Sequence, residues 1–244
     1  AISLGHDLGH TPFGHTGEDA LCRAIARVRG IDPECPEAAA LYRHNEQSLR
    51  VVEAIENDGR GLNLTPEVRD GILCHTGPVP AETLEGRIVA VADRIAYVNH
   101  DIDDAIRAGI LREGDLPAST RKVLGCDHSS RIETLVVDMV RTSSVEGDIR
   151  LSPGIWAAMA ELRAFLFDNV YTCDAVMEEV VKAMRLVEVL FSYYIDNPGD
   201  IPAEYRAISG GDDVRAATDY IAGMTDRYAK SRFQNLFEPH SLHV

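Results

Sequence analysis

Gly5-His6-Asp7-Leu8-Gly9-His10-Thr11-Pro12-Phe13-Gly14-His15-Thr16-Gly17-Glu18 lies near the start of the 244-residue chain and holds three histidines, an aspartate and a glutamate. Apolar Ile2 and Leu4 precede His6-Asp7, which predicts that the pair ends a buried helical segment. His10 stands four residues past His6, one helical turn on if that helix continues. Pro12 disfavours helix at Thr11 and breaks the run, and Gly14 and Gly17 let the chain wrap closely around a ligand. Thr16 with Asp19 reads as a variant capping box that opens the next helix, with Leu21, Ala24, Ile25 and Val28 as its apolar positions. His15 and Glu18 then fall at a helix N-terminus, where a phosphate is favoured. Imidazoles and carboxylates around such a site suit metal-dependent phosphate-ester chemistry. A single His-Asp pair is more often a surface hydrogen bond. Five such side chains in one glycine-rich stretch are hard to explain as solvated surface.

Outside this stretch helical spacing dominates and no alternating strand pattern appears, which predicts an all-α class. His44-Asn45-Glu46-Gln47 precedes a helix with Leu49, Val52 and Ile55 on one face; four polar residues there read equally as a solvated cap or as part of a site. Thr65-Pro66 opens a helix reaching about His75, with Thr65 as N-cap and proline at the first position. Ending that helix, His75 is either a favourable charge at a helix C-terminus or a neighbour of the site. The next helix spans roughly 84–108, with an apolar stripe of Leu84, Ile88, Val91, Ile95, Val98, Ile102 and Ile106. Its middle turns read as apolar nearly all round, with Asp93 among them. An unpaired buried carboxylate is costly, so Asp93 calls for a metal ion or a basic partner such as Arg94. Asp103 and Asp104 read as solvated acids. Further helices are predicted over about 131–142, 154–170, 175–195 and 212–228, the last capped by Asp212 or Asp213 and carrying Asp226 and Arg227 on its surface.

A net charge of −15 and a sequence pI near 4.9 argue against nucleic-acid binding as the main task. The five cysteines are scattered, with no C-x-x-C pair, as a reducing cytoplasm tolerates. No apolar run approaches the ~20 residues of a membrane span, and no signal peptide is visible. The expected localisation is cytoplasmic.

His6-Asp7 resembles the doublet of HD-domain metal-dependent phosphohydrolases. The longer string His6-Asp7-Leu8-Gly9-His10-Thr11-Pro12-Phe13-Gly14-His15-Thr16-Gly17-Glu18 is similar to the signature of their deoxynucleoside triphosphate triphosphohydrolase (dGTPase-like) branch. His44-Asn45-Glu46-Gln47-Ser48, the segment from Ala92 to Tyr97, and the segment from Asp219 to Tyr228 resemble further blocks of that branch. The resemblance implies an all-α HD-domain helical bundle with a C-terminal helical extension, read as one domain over 1–244. It implies a divalent ion (Mn, Mg, Fe or Zn) held by His6, Asp7 and Asp93, with a further histidine from an upstream helix. Only five residues precede His6 and the first is Ala1, so the chain reads as lacking the N-terminal part of its domain. By the same resemblance, His15 oriented by Glu18 carries protons, and His10 and His44 act at the phosphates. Tyr97 packs against the deoxyribose and Asp101 lies in the nucleotide pocket. Arg163 and Tyr171, eight residues apart, match a spacing that serves phosphate and sugar recognition, although Arg163 also reads as a side chain snorkelling from a core helix. The implied reaction cleaves a deoxynucleoside triphosphate into deoxynucleoside and inorganic triphosphate, in a homo-oligomer. Alternatives are an HD phosphohydrolase acting on another nucleotide, or a catalytically silent nucleotide-binding module.

Overall fold

The computed structural model describes residues 1–239, which contain helices and no strand. The chain divides into two compact units. The first joins residues 1–73 to the chain from Glu179 onward; the second comprises residues 74–178.

In the first unit α1 (Ile2–Gly5) is a single short turn followed by α2 (His15–Arg29), α3 (His44–Arg50) and α4 (Pro66–Leu73). The long α9 (Asp174–Asp196) enters the unit at Glu179, and α10 (Ala203–Ile208), α11 (Asp213–Ala222) and α12 (Asp226–Phe237) complete it. Spacing of three and four residues places Leu21 and Ile25 of α2 against Val187, Leu190, Phe191 and Tyr194 of α9 and Ala217 and Ile221 of α11 in one buried cluster. Burying each large apolar side chain contributes about 1.5–3 kcal/mol. Truncating Phe191, which is fully buried, to alanine costs about 3–5 kcal/mol once the cavity is included.

The second unit is built on α5 (Leu84–Arg107), whose N-cap Thr83 accepts the Gly86 amide. With it come α6 (Ala118–Leu124), α7 (His128–Glu146) and α8 (Pro153–Leu166). Its core is Ile95, Val98 and Ile102 with Leu124, Leu135, Leu162 and Leu166. Arg131 of α7 is 1% exposed and donates to Asn99 Oδ1 at 3.2 Å and Glu113 Oε2 at 2.8 Å. Within the unit the first bond ties α7 to the middle of α5 and the second ties it to the segment after α5. Among the described residues no helix is long and apolar enough to cross a membrane.

Several local expectations are corrected. The first helix ends at Gly5, and Leu4 is exposed rather than buried. The helix after the opening motif begins at His15 with Gly14 as N-cap (φ 58°) and no side-chain cap, so Thr16 and Asp19 form no capping box. Val28 on that helix is exposed. His44, Gln47 and Ser48 lie inside α3 on its buried face, not on a solvated cap before it. The apolar stripe of α5 is buried only from Ile95 onward; Leu84 and Ile88 are exposed, Asp93 is half-buried and Arg94 is exposed. Asp103 is no plain solvated acid: its carboxylate lies 2.8 Å from His128 Nδ1. The predicted helix over 212–228 is two helices, because Gly223 ends α11 and Thr225 caps α12.

Candidate active site

Backbone turns, not a continued helix, carry the first motif. His6 ends α1, and the His10 amide closes a turn on the Asp7 carbonyl at 3.0 Å. His6 Nδ1 lies 3.0 Å from the Ser3 carbonyl oxygen, an acceptor only, so Nδ1 donates there and Nε2 is the ring nitrogen turned toward Asp7. That Nε2 stands 3.2 Å from Asp7 Oδ2. An imidazole nitrogen and a carboxylate oxygen, with the ring oriented by a backbone carbonyl, form a donor pair suited to a divalent transition ion.

The motif is pressed against α3. Gly9 donates its amide to Ser48 Oγ at 2.8 Å, and its carbonyl accepts the Tyr42 hydroxyl. A Cβ at Gly9 would lie 2.3 Å from the Ser48 amide nitrogen and 2.4 Å from the His44 carbonyl oxygen. Only glycine allows this approach. As a result His10 stacks on His44, with centroids 4.3 Å apart and planes 9° apart, and His15 stands edge-on to both at 5.0 and 5.5 Å.

One carboxylate organises these rings. Glu18 Oε2 accepts from His15 Nδ1 at 3.1 Å and from His44 Nδ1 at 2.9 Å, while Oε1 accepts the His44 amide at 2.9 Å. Burial would raise the Glu18 pKa, but the bonds from His15 and His44 outweigh it and hold it well below the usual carboxylate range. The same bond to Glu18 raises His15. His10 behaves oppositely: burial, then the neighbouring His44, push it down to about 4, so its ring is neutral at neutral pH. Its buried Nδ1 has no hydrogen-bond partner among the described residues, and its Nε2 is 3.9 Å from Asp7 Oδ1. A buried ring nitrogen without a partner is a position that a ligand atom would satisfy. His10, His15, Glu18 and His44 each offer an atom within 4.8 Å of the others.

In the second unit four predicted substrate residues gather. The Tyr171 hydroxyl donates to Asp101 Oδ2, and Tyr97 is hydrogen-bonded to both. Burial raises the Asp101 carboxyl, and burial together with that carboxylate holds the Tyr171 phenol far above its ordinary value. The Arg163 charge acts on Tyr97. Arg163 is exposed, as a snorkelling side chain would be. Asp93 lies one turn before Tyr97 on α5.

Other contributors escaped the sequence reading. Tyr42 and Ser48 hold Gly9; Gln47 and Arg50 bind Asp219; Asp226 binds the Phe13 amide. Only Gln47 and Ser48, inside the second motif, had a signal; Asp219 and Asp226 fell in the last block but carried none of their own.

Comparison with known proteins bears on the same residues. The HD domain profile matches residues 1–98, and that of a phosphohydrolase-associated domain matches residues 149–235. A deoxyguanosinetriphosphate triphosphohydrolase-like protein of Caldanaerobacter subterraneus subsp. tengcongensis is 46% identical over 240 residues, covering 98% of this chain and 67% of the relative. One of the same description from Clostridium perfringens is 46% identical over 249 residues (98% and 69%), and one from Bordetella pertussis 36% identical over 290 (98% and 74%). The chain belongs to the HD-domain phosphohydrolases, among their deoxyguanosinetriphosphate triphosphohydrolase-like proteins.

Proposed function

We propose that the protein hydrolyses deoxynucleoside triphosphates to deoxynucleoside and inorganic triphosphate. The observation that carries this reading is the set of three imidazoles gathered around Glu18 next to the His6-Asp7 donor pair. His6 and Asp7 would hold a divalent ion. Asp93 joins them as the distant ligand on the likeness of its segment to the family block. When bound, such an ion polarises a phosphate oxygen and lowers the pKa of water.

The remaining work falls to the protein. Water adds at the α-phosphorus and the bond to the sugar 5′-oxygen breaks, so that oxygen leaves needing a proton. His15, whose affinity for a proton Glu18 raises, is the group to supply it. Glu18 keeps the ring oriented through Nδ1. His10, whose ring is neutral, serves the phosphate oxygens together with His44, where charge develops. Tyr97 takes the deoxyribose face, and the Tyr171–Asp101 pair meets the sugar hydroxyl. Arg163 supplies a fixed positive charge for phosphate.

The test incubates the complete gene product with each dNTP and Mn²⁺ or Mg²⁺ and reads products by ion chromatography. Triphosphate release that disappears in Asp93→Ala and in His15→Ala is the expected result. Pyrophosphate or monophosphate as the inorganic product would move the protein to another branch of HD hydrolases. No turnover with metal bound would make it a silent nucleotide-binding module.

A further inference from the structure

We infer that residues 212–230 are a clamp that positions the two segments carrying His15 and His44, with Asp226 and Asp219 as its positioning residues. The catalytic consequence rests on the function proposed above; the clamp itself does not.

The first arm grips the turn before His15. Phe13 has φ 67°, a left-handed conformation that a bulky residue rarely adopts. Such a conformation persists only where the surroundings over-determine it. The turn contributes two bonds of its own: Gly14 donates to the Thr11 carbonyl at 3.0 Å, and Thr11 Oγ1 donates to the Gly14 carbonyl at 2.8 Å. The rest comes from α12. Asp226 Oδ1 accepts the Phe13 amide at 2.9 Å across 213 residues of sequence. The Lys230 ammonium, one turn on, stands 5.5 Å from the centroid of the Phe13 ring, which packs on the core of the unit. Thr225 already caps α12 through the Tyr228 amide. The Asp226 carboxylate is therefore not needed for its own helix. Gly14 and His15 follow directly, so the backbone at Phe13 sets where α2 and its histidine begin.

The second arm grips α3. The Asp219 side chain is fully buried and accepts Arg50 Nε at 2.9 Å and Nη2 at 2.6 Å, Gln47 Nε2 at 2.9 Å and Arg215 Nη2 at 2.5 Å. Burial alone would raise its pKa, but the Arg50 and Arg215 bonds prevail and keep it below its ordinary value. Gln47 and Arg50 share α3 with His44, and Ser48 beside them holds Gly9. Both candidate catalytic segments thus take their bearings from acids more than 165 residues away in sequence.

The test uses the complete protein as wild type, Asp226→Ala and Asp226→Asn, reading amide hydrogen exchange by segment alongside steady-state triphosphate release. Asp226 is exposed, so both variants fold, and melting curves verify it. In Asp226→Ala, exchange over residues 11–16 rises about tenfold or more, the effect of losing a charge-assisted bond, while residues 44–50 are unchanged. With it kcat falls about tenfold and KM stays within about twofold, as misplacement of the proton carrier requires. Asparagine retains an accepting oxygen and restores both readouts toward wild type. Wild-type exchange over 11–16 in Asp226→Ala overturns the clamp whatever the activity. So does an Asp226→Asn protein as loose as the alanine variant. If loosening occurs but the wild type releases no triphosphate from any dNTP, the clamp stands and the proposed reaction falls.

Discussion

Replacing Gly9 with alanine adds one carbon at the tightest contact of the candidate site. That carbon would lie 2.3 Å from the Ser48 amide nitrogen, 2.4 Å from the His44 carbonyl oxygen and 2.6 Å from the Gln47 carbonyl carbon. All three are backbone atoms of α3, so no side chain can swing aside; the motif and the helix must part by roughly 1 Å to reach ordinary contact. Overpacking of this kind costs about 1–3 kcal/mol. Parting also stretches the Gly9–Ser48 and Tyr42–Gly9 bonds, each contributing about 1 kcal/mol. The sum is about 3–5 kcal/mol, a fall in Tm of roughly 6–20 °C for a domain of this size. Differential scanning calorimetry of Gly9→Ala beside Gly154→Ala is the assay. Gly154 lies in α8 with no atom within 4 Å of an added Cβ and no positive φ. The change there leaves Tm unchanged or raises it, by up to about 1 kcal/mol of helix propensity. A Gly9→Ala protein melting within about 2 °C of wild type would refute the steric argument, since that is at most about 1 kcal/mol.

Three further outcomes are expected. Glu18→Gln removes the charge that raises His15, so by NMR titration the His15 midpoint moves down toward its ordinary value of 6.5; an unmoved midpoint contradicts the pairing. Because the folded His15 pKa lies above the unfolded one, the stability this pair contributes is full below about pH 6.5. It is lost as pH rises through the folded value, and Glu18→Gln abolishes that dependence. Tyr171→Phe deletes the donor to Asp101 and, if the pair binds the sugar, raises KM about tenfold or more, the worth of a bond to a charged group; an unchanged KM removes Tyr171 from the substrate site. Arg131→Ala leaves a cavity and strands Asn99, lowering stability by about 2–4 kcal/mol in urea melts. Arg131→Met, which keeps the volume, recovers part of that loss, and equal losses in the two variants would mean that the polar bonds dominate.

What could be read from the sequence follows the range of the forces involved. The α5 helix was expected over 84–108 and is Leu84–Arg107, because its spacing and its Thr83 cap are local. The His6–Asp7 and His15–Glu18 pairs also lie within a few residues of each other. The two-helix break at Gly223 was missed because Ile221, Met224 and Tyr228 keep a helical interval across it. Gly223 followed by Thr225-Asp226, a stop signal and then a cap, was the cue. The buried polar face of α3 could not be found locally, since its partner Asp219 lies 172 residues from Gln47. The extent to which α5 is covered was likewise misjudged: apolar residues at Leu84 and Ile88 mark a face, and tertiary packing decides whether that face is buried.

The split of the first unit into residues 1–73 and the chain from Glu179 onward has a consequence for biosynthesis. The histidine motifs leave the ribosome before Phe191, Asp219 and Ile221, which complete their surroundings and follow far behind. Asp219 stands 172 positions after Gln47, so at ~5–20 residues per second the nascent motif waits roughly 9–34 s for its anchor. Until Asp196 has been made Leu21 and Ile25 have no complete α9 to cover them, and by then the second unit is already wholly translated. Chains stalled at successive lengths should therefore compact in two steps, the later one only after Asp219 clears the exit tunnel. Early folding of the first 73 residues alone would contradict this order.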